Sequence, residues 1–445
     1  MSAAANTSTR DFVLGLGATG LSIARYLQRN ELDATFFDTR DEPPGIDALR
    51  EICPDAKVLL GKAKLPGSVK RIIASPGIAD SHPLLADARK ANVEVVSDIE
   101  LFAREARAPF LAVTGSNGKS TVTTLLYHMF TAAGMQVYAG GNLGEPALDL
   151  LDKELPDIYV LELSSFQLQR TQALPAEVSI LLNISPDHLD WHSTEDEYRR
   201  SKYRVYREAK AAVFNRADNS AKKYVKHLKK SVSFGLDVPK TGHYGLREED
   251  GDMFLARGET LLLSTKDLAL FGQHNQANAL AALAAGELAG LEMPAMLQVL
   301  CEFPGLPHRM QFVDRVSAVN YVNDSKATNV AAAVASIESV DGMIVLVAGG
   351  VGKGADFSTI AAAVENKLRA AVLLGEDAEK ISAALDTVRP VYFARDMDDA
   401  VQQASQFAES DDTVLLAPAC ASLDQFSNYE ARGDAFANAV LGLRQ

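Results

Sequence analysis

The sequence predicts an α/β protein built as three domains in line. Apolar runs of strand length alternate with helical stretches along nearly all of the 445 residues, the pattern of mostly parallel sheets. Two glycine loops, at 15–20 and 115–118, each stand between such a run and a helix. A chain of this length exceeds one ordinary core, and roughly two to four domains follow from length alone. Breaks near residue 98 and near residue 306 divide it into 1–98, 99–306 and 307–445.

The first strand is Phe12-Val13-Leu14, running into Gly15-Leu16-Gly17-Ala18-Thr19-Gly20. A helix follows with Leu21, Ala24 and Leu27 on one face. A second strand, Ala34-Thr35-Phe36-Phe37, ends at Asp38. Further strand-length runs stand at 58–60, 71–74 and 93–96.

The second series opens at Phe110-Leu111-Ala112-Val113. Its helix starts near Lys119 and carries Val122, Leu125, Leu126, Met129, Phe130 and Ala133 as an apolar stripe, with Gly134 as the C-terminal stop. Strands are expected at 158–163, 178–184 and 211–214, then short strands between 231 and 272, and a helix from Asn275 to about Gly290. The third series has strands at 317–322, 344–348, 371–374, 391–393 and 414–417, separated by Ala-rich helices.

A formal charge of −14 speaks against a nucleic-acid partner, which needs a basic face to displace counterions. Anionic small substrates need only a local cluster of donors. Cys53, Cys301 and Cys420 have no metal-ligand spacing and suit free thiols in a reducing compartment. Residues 1–10 have no apolar core, so no signal peptide is expected, and no apolar run is long enough to span a bilayer. A cytoplasmic protein is the expectation.

Thr114-Gly115-Ser116-Asn117-Gly118-Lys119-Ser120 sits between a strand and a helix, the context in which such a loop binds phosphate. Glycines let backbone N–H groups approach phosphate oxygens, and the helix N-terminus adds a positive dipole end. Lys119 would pair with the β and γ phosphates and the Ser120 hydroxyl would ligate Mg²⁺. Val113 stands where the usual spacing has its first glycine, and the competing reading is a plain glycine turn with an exposed lysine. Glu162, at the end of the 158–163 run, is placed as the acidic residue that holds the same magnesium.

Gly15, Gly17 and Gly20, with Asp38 downstream, match the dinucleotide fingerprint. Physically, that pattern requires only a phosphate-bearing ligand close to the turn. A UDP-sugar diphosphate meets it as well as NAD does, and nothing downstream has the form of a hydride-transfer site. The residues give three α/β domains, and the fold class expected is an N-terminal Rossmann-like domain, a central P-loop ATPase-like domain and a C-terminal Rossmann-like domain.

Together, several motifs resemble the Mur ligases. They are Gly115 to Ser120, Glu162-Leu163-Ser164-Ser165-Phe166-Gln167, Asn183-Ile184-Ser185-Pro186-Asp187-His188-Leu189-Asp190, Gly272-Gln273-His274-Asn275 through Asn278-Ala279, and Pro307-His308-Arg309. The modified phosphate loop is itself a trait of that family. Asp324-Ser325-Lys326-Ala327-Thr328-Asn329, Gly352-Lys353-Gly354-Ala355-Asp356-Phe357 and Ala419-Cys420-Ala421-Ser422-Leu423-Asp424-Gln425-Phe426 are similar to its D-glutamate-adding members, as are the first glycine loop and Ser75-Pro76-Gly77. The resemblance runs from about residue 11 to 440. Val351 stands where it implies an acidic residue.

The resemblance implies an ATP- and Mg²⁺-dependent amide-bond ligase of peptidoglycan synthesis, cytoplasmic and monomeric. The L-alanyl carboxylate of UDP-N-acetylmuramoyl-L-alanine attacks the γ-phosphate to give an acyl phosphate and ADP. The D-glutamate amine then displaces phosphate. Such a reaction needs positioning and charge neutralisation rather than a protein nucleophile.

By the same resemblance, Gly115, Ser116, Asn117, Gly118, Lys119, Ser120, Thr121, Asn275, Asn278, Arg309, Asp324 and Lys326 bind ATP. Lys119, Asn142, His188 and Lys202 are the catalytic set. Ser120, Glu162, His188 and Lys202, the last as a carbamate, hold metal. Gly17, Ala18, Thr19, Asp38, Thr39, Arg40, Ser75, Gly77, Asn142, Ser164, Gln167 and His188 bind the UDP-linked substrate. Thr328, Lys353, Ser422, Leu423 and Tyr429 bind D-glutamate. ATP would lie between two domains that close on it.

Other classes stay open at this point. A folate-extending ligase of the same superfamily is disfavoured, because there the phosphate loop stands near the chain start. A nicotinamide oxidoreductase would leave the second and third domains unexplained. A non-catalytic nucleotide-binding module would not need Lys119, Glu162, His188, Lys202 and Lys326 together.

Overall fold

The computed structural model describes residues 11–62, 64–185, 191–192, 194–270, 272–385 and 390–444. Its contacts divide the chain into two units. One runs to Glu249 and takes in Phe254–Leu262 and Asn278–Val299; the other comprises Asp250–Met253, Leu263–Ala277 and the chain from Leu300 onward.

The first unit holds two parallel sheets. Strands β1 (Asp11–Leu14), β2 (Ala34–Asp38), β3 (Lys57–Leu60), β4 (Arg71–Ala74) and β5 (Glu94–Val96) form one, in the order β3-β2-β1-β4-β5. Phe12, Val13 and Leu14 are fully buried, as expected of a central strand covered on both faces. Strands β6 (Phe110–Thr114), β7 (Val137–Gly141), β8 (Ile158–Glu162), β9 (Val178–Leu181), β10 (Ala211–Asn215) and β11 (Lys230–Phe234) form the other, in the order β11-β10-β9-β6-β8-β7.

The helix after β6, Lys119–Ala132, buries Val122, Leu125, Leu126, Met129 and Phe130. Gly134 follows with φ +79° and donates its amide to Thr131 O, the predicted stop. The two sheets share side-chain contacts. Arg25 Nε donates to Asp149 Oδ1 at 2.9 Å, Ser97 Oγ lies 3.0 Å from Thr171 Oγ1, and the Arg170 guanidinium donates to the Ser75 carbonyl at 3.2 Å.

Strands β12 (Tyr244–Glu249), β13 (Asp252–Arg257) and β14 (Thr260–Ser264) form a small sheet in that order. The second unit is centred on β15 (Gln311–Val316), β16 (Val319–Asn323), β17 (Ile344–Ala348), β18 (Leu368–Leu373), β19 (Val391–Phe393) and β20 (Thr413–Leu416), ordered β15-β16-β20-β17-β18-β19. All neighbours are parallel except β15 and β16.

Three differences from the sequence reading have local causes. β7 was not foreseen: Gly140 and Gly141 weaken its signature, and it has a sheet neighbour on one side only. β15 was not foreseen either. Gln311–Val316 mixes polar and apolar residues and becomes a strand by pairing antiparallel with β16. The run expected to 184 ends at Leu181, because Asn183 turns its backbone and side chain to the loop after β6.

Among the described residues no helix is long and apolar enough to cross a membrane.

Candidate functional site

Parallel strands place all their C-terminal ends on one edge, and loops there collect into sites. In the second sheet β7, β8, β6 and β9 are consecutive neighbours. Asn142, Glu162, the 115–120 loop and Asn183 therefore come from four adjacent strand ends.

The loop is built by the chain around it. Ser116 N donates to Asn183 O at 2.9 Å, Asn117 N to Asn183 Oδ1 at 2.8 Å, and Asn183 Nδ2 returns a bond to Asn117 O at 3.0 Å. Ser116 Oγ accepts from Ser185 N at 3.0 Å and lies 2.7 Å from Tyr198 Oη. Gly118 has φ +83°, and a Cβ there would lie 2.3 Å from Asn278 Oδ1. Only glycine fits both constraints. Lys119 Nζ donates to Gly115 O and Ser116 O at 2.9 and 2.8 Å, which folds the ammonium over the loop. Ser120 is buried and Thr121 half-buried in the first helical turn, whose N–H groups have no helical acceptor.

Glu162 is 2% exposed. Its Oε1 accepts from Asn142 Nδ2 at 2.6 Å, and Asn142 N donates to Glu162 O at 2.8 Å. Its Oε2 is buried and, among the described residues, has no hydrogen-bond partner. A buried carboxylate oxygen left bare is costly, and a cation is one group that could satisfy it.

One carboxylate and the Ser120 hydroxyl are hard oxygen donors. They are few for calcium but suited to Mg²⁺, which keeps waters and takes substrate phosphate oxygens. Among the described residues no group of three His, Cys, Asp or Glu could hold a metal. These two donors fit a phosphate-borne Mg²⁺.

Lys202 is 2% exposed on helix Glu195–Tyr203. Its Nζ donates to Gly115 O at 2.7 Å and stands 4.8 Å from the Tyr198 ring centroid. The structure therefore brings Lys202 to the same loop carbonyl as Lys119. His188 lies outside the described residues. Asn275 and Asn278 are both buried near the start of helix Gln273–Leu288, and Asn278 covers Gly118.

In the first sheet β2, β1 and β4 are neighbours. Their ends carry Gly17, Ala18 and Thr19; Asp38, Thr39 and Arg40; and Ser75 and Gly77. A Cβ at Gly20 would stand 2.0 Å from Gly15 O, so this glycine serves close helix–strand packing, whatever the ligand. Burial works to raise the Asp38 carboxyl, but bonds from Arg40 and from the Leu16 amide outweigh it and hold it at about 2. Asp38 is thus an anion tied to the glycine loop through Leu16 N at 2.8 Å.

Ser164 and Gln167 form a capping box on helix Ser165–Gln169. Gln167 Nε2 also donates to Asp98 Oδ2 at 3.2 Å. Burial pushes the Asp98 carboxyl up to about 6, against the Gln167 hydrogen bond.

In the second unit β16, β20, β17 and β18 are consecutive neighbours. Asp324, Lys326 and Thr328 follow β16, Ser422 and Leu423 follow β20, and Lys353 follows β17. Asp324 is buried, accepting from Met310 N at 3.1 Å and from the Ser336 hydroxyl; burial raises its carboxyl. Lys326 Nζ stands 3.9 Å from the Tyr429 ring centroid, and burial, with Arg309 adding to it, lowers its ammonium. Arg309, Lys353 and Leu423 are exposed, Thr328 and Tyr429 half-buried, and Ser422 is buried.

Arg432, fully enclosed on helix Tyr429–Gly442, donates to Ser325 Oγ, Ser325 O and Cys420 O at 3.0 Å each. It ties the β16 loop to the β20 loop. Burial pushes it down to about 10, so it stays charged at neutral pH.

Sequence reasoning missed Tyr198 and Arg432 as parts of these sites, and quoted Asn183 and Ser185 within a motif without a role in shaping the loop. Tyr198 stands four residues before Lys202, on the same helical face, and that spacing was a usable signal. Arg432 reaches Ser325 across 107 residues of sequence, and that pairing leaves none.

Three family models match the chain: the Mur ligase MurD-like N-terminal domain over residues 9–97, the Mur ligase middle domain over 113–286, and the Mur ligase glutamate ligase domain over 308–420. A protein of Nitrosococcus oceani described as UDP-N-acetylmuramoylalanine--D-glutamate ligase is 48% identical over 432 residues, 96% of this chain and 95% of its own length. One of Legionella pneumophila with the same description is 47% identical over 443 residues, 97% of this chain and 98% of its own. The MurF ligase of Thermotoga maritima, solved in complex with ADP, superposes with a TM-score of 0.57 at 16% identity, covering 99% of this chain and 100% of its own. That likeness speaks for the fold. With three domain models in order and relatives of nearly half identity along its length, the chain belongs to the Mur ligase family.

Proposed function

We propose that the chain joins D-glutamate to UDP-N-acetylmuramoyl-L-alanine in an ATP-dependent ligation, with ADP and phosphate as the other products. The observation that carries this reading is the near-half identity, over 96% of the chain, to relatives bearing that description. The site chemistry supports it. A phosphate loop, a bare buried carboxylate oxygen at Glu162 and two lysines on the loop carbonyls suit a charge-neutralising ligase with no protein nucleophile.

In this reading residues 1–98 hold the UDP end, 99–306 the triphosphate and 307–445 the amino acid. Gly17, Ala18, Thr19, Thr39, Arg40, Ser75 and Gly77 approach the uridine diphosphate, with Asp38 fixing the loop from behind. Gly115 to Thr121 cradle the phosphates, and Asn275, Asn278, Arg309, Asp324 and Lys326 complete the nucleotide site. Glu162 and Ser120 would hold Mg²⁺, which would supply positive charge against the phosphate oxygens.

Asn142, anchored on Glu162, orients the reacting L-alanyl carboxylate together with His188. Lys119 leaves its carbonyl partners for the phosphates. Carbamylation of Lys202 would retain the N–H that Gly115 O accepts while replacing a cation by an anion able to support the metal. Lys353 pairs with a D-glutamate carboxylate, while Thr328, Ser422, Leu423 and Tyr429 line that pocket, and Ser164 and Gln167 shape the muramoyl side. In this reading the enzyme is cytoplasmic and acts as a monomer.

The test is phosphate release from ATP with Mg²⁺ and UDP-N-acetylmuramoyl-L-alanine, across D-Glu, L-Glu, meso-diaminopimelate, L-Lys and D-Ala. Release and amide product with D-Glu alone is expected. Release with another amino acid would reassign the third pocket, and no release with any would overturn the reading.

A further inference from the structure

Lys353 lies on a loop with no regular structure. Its φ is +53°, it is exposed, and among the described residues no hydrogen bond or ion pair holds its side chain. The position of its ammonium therefore depends on what fixes the backbone just before it, at Gly350 to Gly352.

That segment is held from two sides. Val351 and Ala421 form an isolated antiparallel bridge, Val351 N donating to Ala421 O at 2.9 Å and Ala421 N to Val351 O at 3.0 Å. The bridge is wholly main-chain, so an apolar side chain at 351 serves it as well as an acidic one.

The second clamp is Asp377, in the turn after β18 and 5% exposed. Its Oδ2 accepts from Gly352 N at 2.6 Å, and its own amide donates to Gly350 O at 3.0 Å. Its Oδ1 pairs with Lys380 Nζ at 2.5 Å. Asp424, two residues beyond Ser422, closes the ring by accepting from Glu376 N at 2.9 Å.

We propose that Asp377 is a positioning residue for the amino-acid substrate. By gripping Gly350 and Gly352 it sets where Lys353 stands relative to Ser422, and it governs affinity for an anionic amino acid without touching it. The inference rests on the reading of Lys353 as a D-glutamate contact.

The charges are arranged to suit. A bare carboxylate close to an anion site would repel the substrate, but Lys380 neutralises Asp377 from the solvent side. Lys353 is left as an uncompensated cation for the ligand.

Asp377→Ala is expected to raise the D-glutamate KM about tenfold, with kcat changed less than about threefold and the KM for ATP and for the UDP-linked substrate unchanged. Asp377→Asn keeps an oxygen for the Gly352 amide and should recover most of that loss. Peptides spanning Gly350 to Gly354 should exchange amide hydrogens faster in the alanine variant. Lys353→Ala is the control.

If Lys353→Ala raises the D-glutamate KM and Asp377→Ala does not, the positioning role is overturned while the pocket stands. If neither moves it, the pocket reading falls and the inference with it. Should Asp377→Ala fail to fold, Lys380→Met decides. That lysine is largely exposed, and its loss leaves Asp377 unneutralised, so the D-glutamate KM should rise several-fold. An unchanged value would overturn the proposal.

Discussion

The Glu162 carboxylate holds the Asn142 side-chain amide at 2.6 Å through one oxygen and keeps the other buried and bare. The same residue thus orients a neighbour and keeps a second oxygen as a candidate metal ligand. Glu162→Gln keeps the size and an oxygen for Asn142 but removes the charge. Phosphate release should fall on the order of 100-fold and need far more Mg²⁺ for half-maximal rate. An unchanged Mg²⁺ dependence would show that the metal is held elsewhere.

Tyr198 Oη lies 2.7 Å from Ser116 Oγ, inside the phosphate loop. Tyr198→Phe deletes one hydroxyl bond of about 1 kcal/mol. If that bond shapes the loop, the KM for ATP should rise about fivefold while the D-glutamate KM stays put. A rise in both would point to a general loss of structure instead.

Gly118 combines a φ of +83° with an Asn278 oxygen where a Cβ would be. Gly118→Ala should therefore destabilise the protein by about 1–3 kcal/mol and raise the ATP KM more than tenfold. Adding Asn278→Ala should return part of the stability, because it removes the clash but not the backbone strain. Thermal melts of the single and double variants measure the split.

Burial lifts the Asp98 carboxyl from 3.8 to about 6. The folded chain thus binds a proton that the unfolded chain has released, between about pH 4 and pH 6. The contribution of this group to stability falls as pH rises through that window. Asp98→Asn removes the titration, so its stability relative to the parent should grow between pH 4 and 7 by up to about 3 kcal/mol. Urea midpoints at the two pH values measure it, and a pH-independent difference would refute the assignment.

Much of this was legible in the sequence because loops at parallel strand ends carry local signatures. Gly115 to Ser120 is read from a strand, a turn and a helix in succession, and Glu162 from its place at the end of Ile158–Glu162. The edge strand Val137–Gly141 and the hairpin strand Gln311–Val316 escaped, since pairing with neighbours rather than composition makes them strands. Asn183 bonds Asn117 across 66 residues of sequence, Arg432 bonds Ser325 across 107, and Asp377 grips Gly352 across 25. No periodicity encodes such pairs. Ser164 and Gln167 are the converse case: a motif read for substrate is also a helix cap with its own local reason to exist.

Ser116 and Asn117 give their amides to Asn183 rather than to solvent. The turn proposed to receive the triphosphate is therefore cast before a nucleotide arrives, as a mould is. Binding at this turn has little backbone to freeze, so its heat signal should be that of ion pairing and released water, with little of the unfavourable entropy that accompanies a disordered segment becoming ordered. A ligand smaller than ATP, such as inorganic pyrophosphate, would find the same shape waiting.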